Sequence, residues 1–300
     1  MAHLLIAILY MFLACVTTQV GILWILLFLL LVPRDSFEIQ TKLPTKLTYR
    51  AVGSGTGQVE FMGNITHSDN DFGSGGIPFT AQDCAKFPAN SVLHFPFVLG
   101  PISFFHSVPT GEGRLNLTPC VLAKIFKRQE ITDWTDPAVV ELNPDLNFPG
   151  GFPITVAHRV LGSSSTASIT AYLNIACQAE WDQSLVGATI TWPTDTVECE
   201  GSDGMTDCIR GTVGTIGYIE SGHGISEGLE EVALRNADNV YLNSVEASNR
   251  DGIMAAAANA QIPDSLEQSF ANVSLLNQVS VILLGRVCFV CFLNLVYCHG

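Results

Sequence analysis

Two turns made of small residues constrain this 300-residue chain more than any other feature, because each joins a strand-like to a helix-like segment. The first is "AVGSGTGQVEF" at 51–61, and the second is "HRVLGSSSTASITAYLN" at 158–174. Short β-branched runs such as "PITVAHRV" at 153–160 and "GTIGYIE" at 214–220 alternate with helical patterns along the middle of the chain. This alternation predicts an α/β fold with mostly parallel sheets.

A turn of this kind between a strand and a helix can hold an anion. The helix N-terminus presents unpaired N–H groups, and small residues let an anion approach them closely. In the second turn Arg159 adds a forked positive charge, and Ser163 and its neighbours add hydroxyl donors. Each turn also has a plainer interpretation, as a serine-capped helix or a tight turn without a ligand. Two such turns together favour one ligand, since α/β sheets bind ligands where two halves face each other.

The composition and the missing motifs exclude several classes of function. A net charge of −14 and the absence of basic runs argue against nucleic acid. The chain contains no GxxxxGK[ST] loop, no SxxK nucleophile motif and no HExxH metal motif. Among the seven histidines, His158 is a candidate for lining the pocket because it precedes Arg159. No cofactor, metal or catalytic residue is predicted.

The two ends of the chain are strongly apolar. No charged residue occurs from Leu4 to Val32, which is long enough for a membrane-spanning helix of about 20 residues. We therefore predict a signal or transmembrane segment at 1–35, followed by a linker at 36–47. The run within 279–300 is nearly as apolar, but Arg286 in its middle would cost about 2.5–3.5 kcal/mol in a bilayer. It is predicted to be an apolar tail.

Cysteines and glycosylation sequons bear on the compartment. Cys199 and Cys208 flank a turn-rich segment, and whether they form a short disulfide is left open by the sequence. Three sequons, at Asn64, Asn116 and Asn272, favour a secretory route. The basic residues that follow the apolar start favour a cytoplasmic location by the positive-inside rule. Between these signals we predict an exported, cell-surface or membrane-tethered glycoprotein.

Taken together, the motifs resemble those of PstS-like phosphate-binding proteins, especially the versions found in algae and related eukaryotes. "RAVGSGTGQVEF", "NDFGSGGIP", "PITVAHRVLGSSSTASITAYL" and "GTIGYIESGHG" occur in the order typical of that family. The resemblance covers 48–278 and implies a two-lobed periplasmic-binding-protein-like fold of type II, closing on one phosphate. It implies a first lobe of about 48–96 plus 226–278 and a second of about 97–225, with a crossing near Phe95–Leu99.

The resemblance also implies where phosphate binds, with Ser54 matching the serine of the first turn and Arg159 the arginine of the second motif. Two positions depart from the family pattern. Gly76 stands where the family has an aspartate that accepts the phosphate hydroxyl, and Leu161 replaces an acidic residue. The lost acceptor predicts poor discrimination against sulfate. The predicted phosphate-binding residues are Ser54, Thr56, Gly76, Arg159, Ser163, Ser164 and Ser165.

The predicted function is non-enzymatic capture of inorganic phosphate, or a related tetrahedral oxyanion, for uptake or scavenging. A membrane transporter is the implied partner, with membrane attachment through the N-terminal helix. The family's first strand and final strand have no match in this sequence. The apolar N-terminal segment at 1–35 and the apolar tail at 279–300 occupy those positions. One alternative is a phosphatase-like hydrolase on the same scaffold. Another, favoured by Gly76, is a surface protein that has lost its ligand.

Overall fold

The structure is a computed structural model, and all the residues it describes fall within one compact unit, Val52–Leu295. The predicted N-terminal segment, the linker and the strand-like run before residue 53 lie outside these residues. Among the helices so described, none is long and apolar enough to cross a membrane. The structure describes residues 53–63, 72–89, 91–148, 150–249, 263–269 and 285–293, giving the backbone alone at 72, 95–100 and 285–293.

Helices and strands alternate along the chain, as predicted. The helices are α1 (Ser54–Met62), α2 (Ala81–Cys84), α3 (Pro119–Lys127), α4 (Pro137–Val140), α5 (Ser164–Ala176), α6 (Gly201–Gly211), α7 (Ser221–Ser226) and α8 (Ser244–Asn249), with one 3₁₀ turn at Gln183–Leu185. The strands are β1 (Phe72–Gly75), β2 (Val92–His106), β3 (Asn116–Leu117), β4 (Thr155–Arg159), β5 (Val197–Cys199), β6 (Thr215–Glu220), β7 (Glu230–Glu231), β8 (Ala233–Arg235), β9 (Tyr241–Leu242) and β10 (Gly285–Leu293).

The larger sheet has seven strands, in the order β1-β10-β2-β6-β4-β5 with β7 beside β2. The long strand β2 pairs with β10 up to Pro101 and with β6 from Ile102, antiparallel in both cases. Only β4 pairs in parallel within this sheet, with β5 and with β6. The α/β class is thus confirmed, but the prediction of mostly parallel sheets is wrong. The sequence pattern shows which segments are strands and does not show their direction.

The C-terminal apolar segment contributes a strand. Gly285–Leu293 forms β10, which lies between β1 and β2 and pairs with both. We predicted a tail outside the binding domain and no final strand, whereas the structure places this segment inside the sheet. A buried strand can read as a continuous apolar run, so composition alone does not distinguish such a strand from a membrane segment.

The buried apolar side chains form two main separate cores. A small core, made of Phe61, Phe79, Phe87 and Val92, packs α1 against the start of β2, with the Phe79 and Phe87 rings 5.4 Å apart. A much larger core surrounds the second half of β2 together with β4, β6 and helices α3, α5 and α6. Two main cores joined by one long strand are what a two-lobed chain requires.

One predicted surface feature proves to be part of the fold. Asn116 of the second sequon lies in strand β3, where its backbone N–H and C=O both bond the Asn143 side chain. The Thr118 hydroxyl of the same sequon is buried and caps α3 by accepting from the Val121 N–H. This sequon is therefore not in a surface loop, and glycosylation at Asn116 is not supported. Asn64 and Asn272 lie outside the described residues.

Candidate functional site

The first small-residue turn opens helix α1 without a side-chain cap on its amides. Gly53, the N-cap residue, has φ 80°, and no side chain caps the helix. The first turn of α1 carries no acidic side chain to compete for its amides. Thr56, one of the predicted ligands, is half-buried in this turn. The backbone here presents the N–H groups that an anion needs.

The Gly-rich segment that follows β1 meets this turn. The Gly76 N–H donates to Ser54 Oγ at 3.1 Å, so two predicted ligands from separate segments are in contact. The residues just before Gly76, Phe72–Gly75, form strand β1. Gly76 itself is buried, and its φ is not in the left-handed region. No backbone strain therefore demands glycine at this position.

The second turn has the predicted strand–turn–helix geometry. β4 ends at Arg159, Ser163 is the N-cap of α5, and its Oγ accepts from the Thr166 N–H at 3.0 Å. Ser164 is half-buried at the first helical position. Ser165 is fully buried, and its hydroxyl donates to Glu220 Oε1 at 2.8 Å. The capping interpretation and the ligand interpretation of Ser163 are compatible, because capping uses the oxygen as an acceptor and leaves the hydrogen free.

The two turns lie against each other. The Gly55 N–H donates to the Gly162 carbonyl at 3.2 Å. A Cβ atom on Gly53 would lie 2.9 Å from the same oxygen, and one on Gly55 would lie 3.1 Å from it. Glycine therefore allows this close approach at both positions, and at Gly53 the positive φ favours it as well. The structure thus brings together two turns that are more than one hundred positions apart in the sequence.

Arg159 is buried beside the second turn without a partner for its charge. Its side chain is 9% exposed, and Nε has no hydrogen-bond acceptor. Within the described part of the chain no carboxylate forms an ion pair with its guanidinium. The backbone N–H of Arg159 donates to Tyr218 Oη at 3.2 Å. A buried guanidinium normally has a carboxylate or phosphate partner. Arg159 is the strongest sign of an anionic ligand in the structure.

A cavity of about 590 Å³ lies beside Arg159. The His158 ring stacks on Trp192 at 5.0 Å, and burial lowers the pKa of His158, so the ring is neutral at pH 7. The segment at 188–193 is a loop that forms one wall. Of the two turns, only the start of the second, at residues 158–160, lines this cavity; the first turn and the serines at 163–165 do not. Its lining residues are His158, Arg159, Val160, Thr189, Ile190, Thr191, Trp192, Pro193, Thr194, Thr196 and Glu198.

Sequence reasoning missed two residues of β6 that support the second turn. Tyr218 Oη lies 2.7 Å from Thr166 Oγ1, and Glu220 accepts from the hydroxyls of Ser165 and Ser202. Both side chains belong to "GTIGYIE", which was interpreted only as a strand. Their spacing of two residues puts them on one face of the strand, which was the available signal.

Comparison with known proteins agrees with this geometry, since residues 23–271 match the model of a PBP superfamily domain. The chain belongs to the PBP superfamily. Its predicted family resemblance and its two-lobed PBP-like fold are therefore confirmed. The PBP match begins upstream of residue 48, where the resemblance was predicted to start.

The chain is 29% identical over 232 residues to the phosphate-binding protein PstS of Xylella fastidiosa strain Temecula1, covering 77% of this chain and 60% of that protein. It is 31% identical over 227 residues to PstS of Pasteurella multocida strain Pm70, covering 75% and 61%. A solved phosphate-binding protein from Stenotrophomonas maltophilia, a PBP relative in fold, superposes with a TM-score of 0.62 at 16% identity, covering 87% and 76%. The chain thus spans about three fifths of the length of these curated relatives.

Proposed function

We propose that the chain binds inorganic phosphate, or a related tetrahedral oxyanion, where its two small-residue turns meet, and that it catalyses no reaction. The observation that carries this proposal is the buried, unpaired guanidinium of Arg159. Its burial has an electrostatic cost that an oxyanion would offset, because the forked guanidinium matches two oxygens at once. The names of the PstS relatives support the same ligand.

The remaining donors would come from both turns. Ser54 and Thr56 lie in the first turn, and Ser163 and Ser164 lie in the second. The Gly76 N–H would have to give up its bond to Ser54 Oγ before it could donate to the ligand. Ser165 was predicted to donate its hydroxyl, but that hydrogen is directed at Glu220, so only its backbone N–H is available to a ligand. An oxyanion between the turns would take the Gly55 N–H from the Gly162 carbonyl. That exchange is favourable, since bonds to a charged acceptor are about twice as strong as neutral ones.

Ligand selectivity follows from the same donors. Among the described residues, Glu220 is the one carboxylate that contacts the proposed phosphate-binding residues, and its two oxygens accept from serine hydroxyls. A site made of donors suits any ligand whose oxygens accept, whereas a protonated phosphate also needs an acceptor for its own hydrogen. We therefore infer that sulfate competes with phosphate at this site.

Calorimetric titration of the full chain with phosphate, and separately with sulfate, tests the proposal. Both ligands are expected to bind, with affinities within about tenfold of each other. Arg159→Met, which keeps the apolar stem, should weaken phosphate binding about ten- to hundredfold because a charge-assisted bond is worth about 1.5–3 kcal/mol. Arg114→Met is the matched control, since Arg114 is exposed and pairs with Glu246 on the surface.

If neither phosphate nor sulfate gives a heat of binding, in a sample that unfolds cooperatively, the binding proposal is rejected. An Arg159→Met protein that binds phosphate like the Arg114→Met control would show that the site lies elsewhere. The full chain is needed for both experiments because a chain ending at Gln278 would lack β10.

Export and transport remain part of the proposal. Two disulfides, Cys120–Cys177 and Cys199–Cys208, support an oxidising compartment. Secretion agrees with this, and capture of phosphate for a membrane transporter is the role that the family resemblance implies. The N-terminal apolar helix and membrane attachment through it remain predictions from the sequence, since that segment lies outside the described residues.

A further inference from the structure

The N-terminus of α5 contains a short chain of buried hydroxyls that ends on a strand of the sheet. Ser163 Oγ lies 3.0 Å from Thr166 Oγ1, which lies 2.7 Å from Tyr218 Oη. Tyr218 Oη in turn accepts from the Arg159 N–H at 3.2 Å. All four residues are nine-tenths or more buried. Bulk water therefore does not decide which way the hydroxyl hydrogens point.

Tyr218 fixes the direction of this chain. Burial raises the pKa of Tyr218 to about 12, so the phenol keeps its hydrogen at neutral pH. Of its two polar neighbours, the Arg159 N–H can only donate. Thr166 Oγ1 is then the one acceptor for the phenolic hydrogen among the described residues. A buried hydroxyl hydrogen without an acceptor is costly, so Tyr218 donates to Thr166.

The direction passes on to Ser163. Because Thr166 Oγ1 accepts from Tyr218, its own hydrogen is free to donate to Ser163 Oγ. Ser163 Oγ also accepts the helix-capping bond from the Thr166 N–H, so both of its lone pairs are used. Its hydrogen has no acceptor among the described residues, although Ser163 is only 2% exposed. The next residue towards the first turn is Gly162, whose carbonyl meets the Gly55 amide.

We propose that Tyr218 is a positioning residue that, acting through Thr166, keeps Ser163 as a hydrogen-bond donor to the ligand. This inference rests on the proposed oxyanion function and adds a specificity element to it. With both lone pairs occupied, Ser163 can give a hydrogen bond and cannot receive one. It therefore selects an unprotonated ligand oxygen at its position.

Tyr218→Phe is the first test, by calorimetric titration of the full chain with inorganic phosphate. Without the phenol, Thr166 Oγ1 becomes a free acceptor that competes with the ligand for the Ser163 hydrogen. Phosphate binding should weaken about three- to tenfold. Tyr172→Phe is the matched control, because Tyr172 lies on α5, the helix that carries Thr166, is 1% exposed and has an Oη without a hydrogen-bond partner among the described residues. Its removal should leave phosphate affinity unchanged.

A rescue experiment separates the relay from general damage to the site. Thr166→Val removes the competing acceptor, so Ser163 is free to donate to phosphate again. The Tyr218→Phe/Thr166→Val protein should bind phosphate within about twofold of the parent, since both partners of one bond are then apolar. If Tyr218→Phe acts only by freeing the Arg159 N–H or by loosening the fold, Thr166→Val will not restore binding, and the relay is rejected.

Neutron diffraction on the ligand-free protein tests the relay without any ligand. Deuterium is expected on Tyr218 Oη directed at Thr166, and on Thr166 Oγ1 directed at Ser163. Deuterium on Ser163 Oγ directed at Thr166 would overturn the relay even if phosphate binds. If the parent chain takes up no phosphate while neutrons show the expected hydrogens, the proposed function fails and the relay is only a structural network.

Discussion

Single buried polar residues mark the places where this protein gives up stability. Arg159 is the clearest, because a guanidinium with 9% exposure and no anionic partner is unfavourable in a ligand-free fold. Gly53 and Gly55 also favour the site over stability, since glycine is conformationally costly and a Cβ at either position would lie close to the Gly162 carbonyl. These residues make sense if the site is shaped for a ligand that supplies the missing charge.

Arg159→Met should therefore change stability and binding in opposite directions. We expect the free energy of unfolding without phosphate to rise by about 1–2 kcal/mol, because an unpaired buried charge is replaced by an apolar chain of similar length. Urea unfolding in phosphate-free buffer measures it. A variant that is less stable than the parent would mean that Arg159 has a structural partner, contrary to the site proposed.

His106 should make the fold sensitive to mild acid. Its Nδ1 accepts from the Val108 N–H, and burial lowers its pKa from an ordinary 6.5 to about 4. The unfolded chain therefore binds a proton that the folded chain excludes, and stability falls as the pH drops from about 6.5 to 4. Burial also lowers the pKa values of His94 and His158, which act in the same direction.

The contribution of His106 is expected to reach about 3 kcal/mol by pH 4. His106→Asn retains an acceptor near Nδ1 and does not titrate, so it should lose less stability between pH 7 and pH 4.5. Thermal unfolding of the two proteins across this range measures the difference. If the variant and the parent lose equal stability on acidification, the buried neutral state of His106 is contradicted.

At the scale of elements, two disulfides link helices and strands around the second turn. Cys120 in α3 joins Cys177 at the C-cap of α5, with a sequence separation of 57 and Cα atoms 5.2 Å apart. Cys199 at the end of β5 joins Cys208 in α6, only nine residues away. The Cys120–Cys177 bridge links two helices of the larger core. The Cys199–Cys208 bridge closes only a short turn.

Loss of the longer bridge should therefore cost more. Loop-closure entropy gives about 4 kcal/mol for a loop near 57 residues and about 2.5 kcal/mol for one near nine. Cys120→Ala/Cys177→Ala should lower the free energy of unfolding in urea by about 2–4 kcal/mol, and Cys199→Ala/Cys208→Ala by less. The reverse order would show that the two bridges do not act by constraining the unfolded chain.

For the whole molecule, the decisive feature is that β10, a strand from the C-terminal apolar segment, completes the larger sheet. β10 lies between β1 and β2, so it fills the gap that separates a short N-terminal strand from the long strand shared by both halves. Without it, two strand edges would be exposed to other chains. The first turn, which is anchored next to β1 through Gly76 and Ser54, depends on this pairing.

A chain ending at Gln278 should consequently lose cooperative unfolding and aggregate, whereas a chain ending at Leu293 should behave like the parent. The physical reason is that only the shorter chain lacks the strand that pairs with both neighbours. Thermal unfolding followed by circular dichroism, with light scattering for aggregation, compares the two. Equal melting temperatures would show that β10 is dispensable.

Local patterns in the sequence determined the elements that carry the site. The β-branched run at 153–160 and the serines after it specified β4, the cap and α5, because strand and helix periodicity and capping depend on near neighbours. The family resemblance pointed to Arg159 and Ser54 in the same way, through residues that stand together in short motifs. The sequence placed Cys199 and Cys208 close together and left their pairing open, and the structure shows them bonded.

Tertiary structure alone decided the long-range partners. The Cys120–Cys177 bridge, the contact of Gly55 with Gly162 and the donation of Ser165 to Glu220 each join segments that no local pattern relates. The apolar C-terminal run shows why, since a doubly paired strand and a membrane segment have the same composition. Whether such a segment becomes a strand depends on whether other strands of the fold offer unpaired edges to it. Composition does not contain that information.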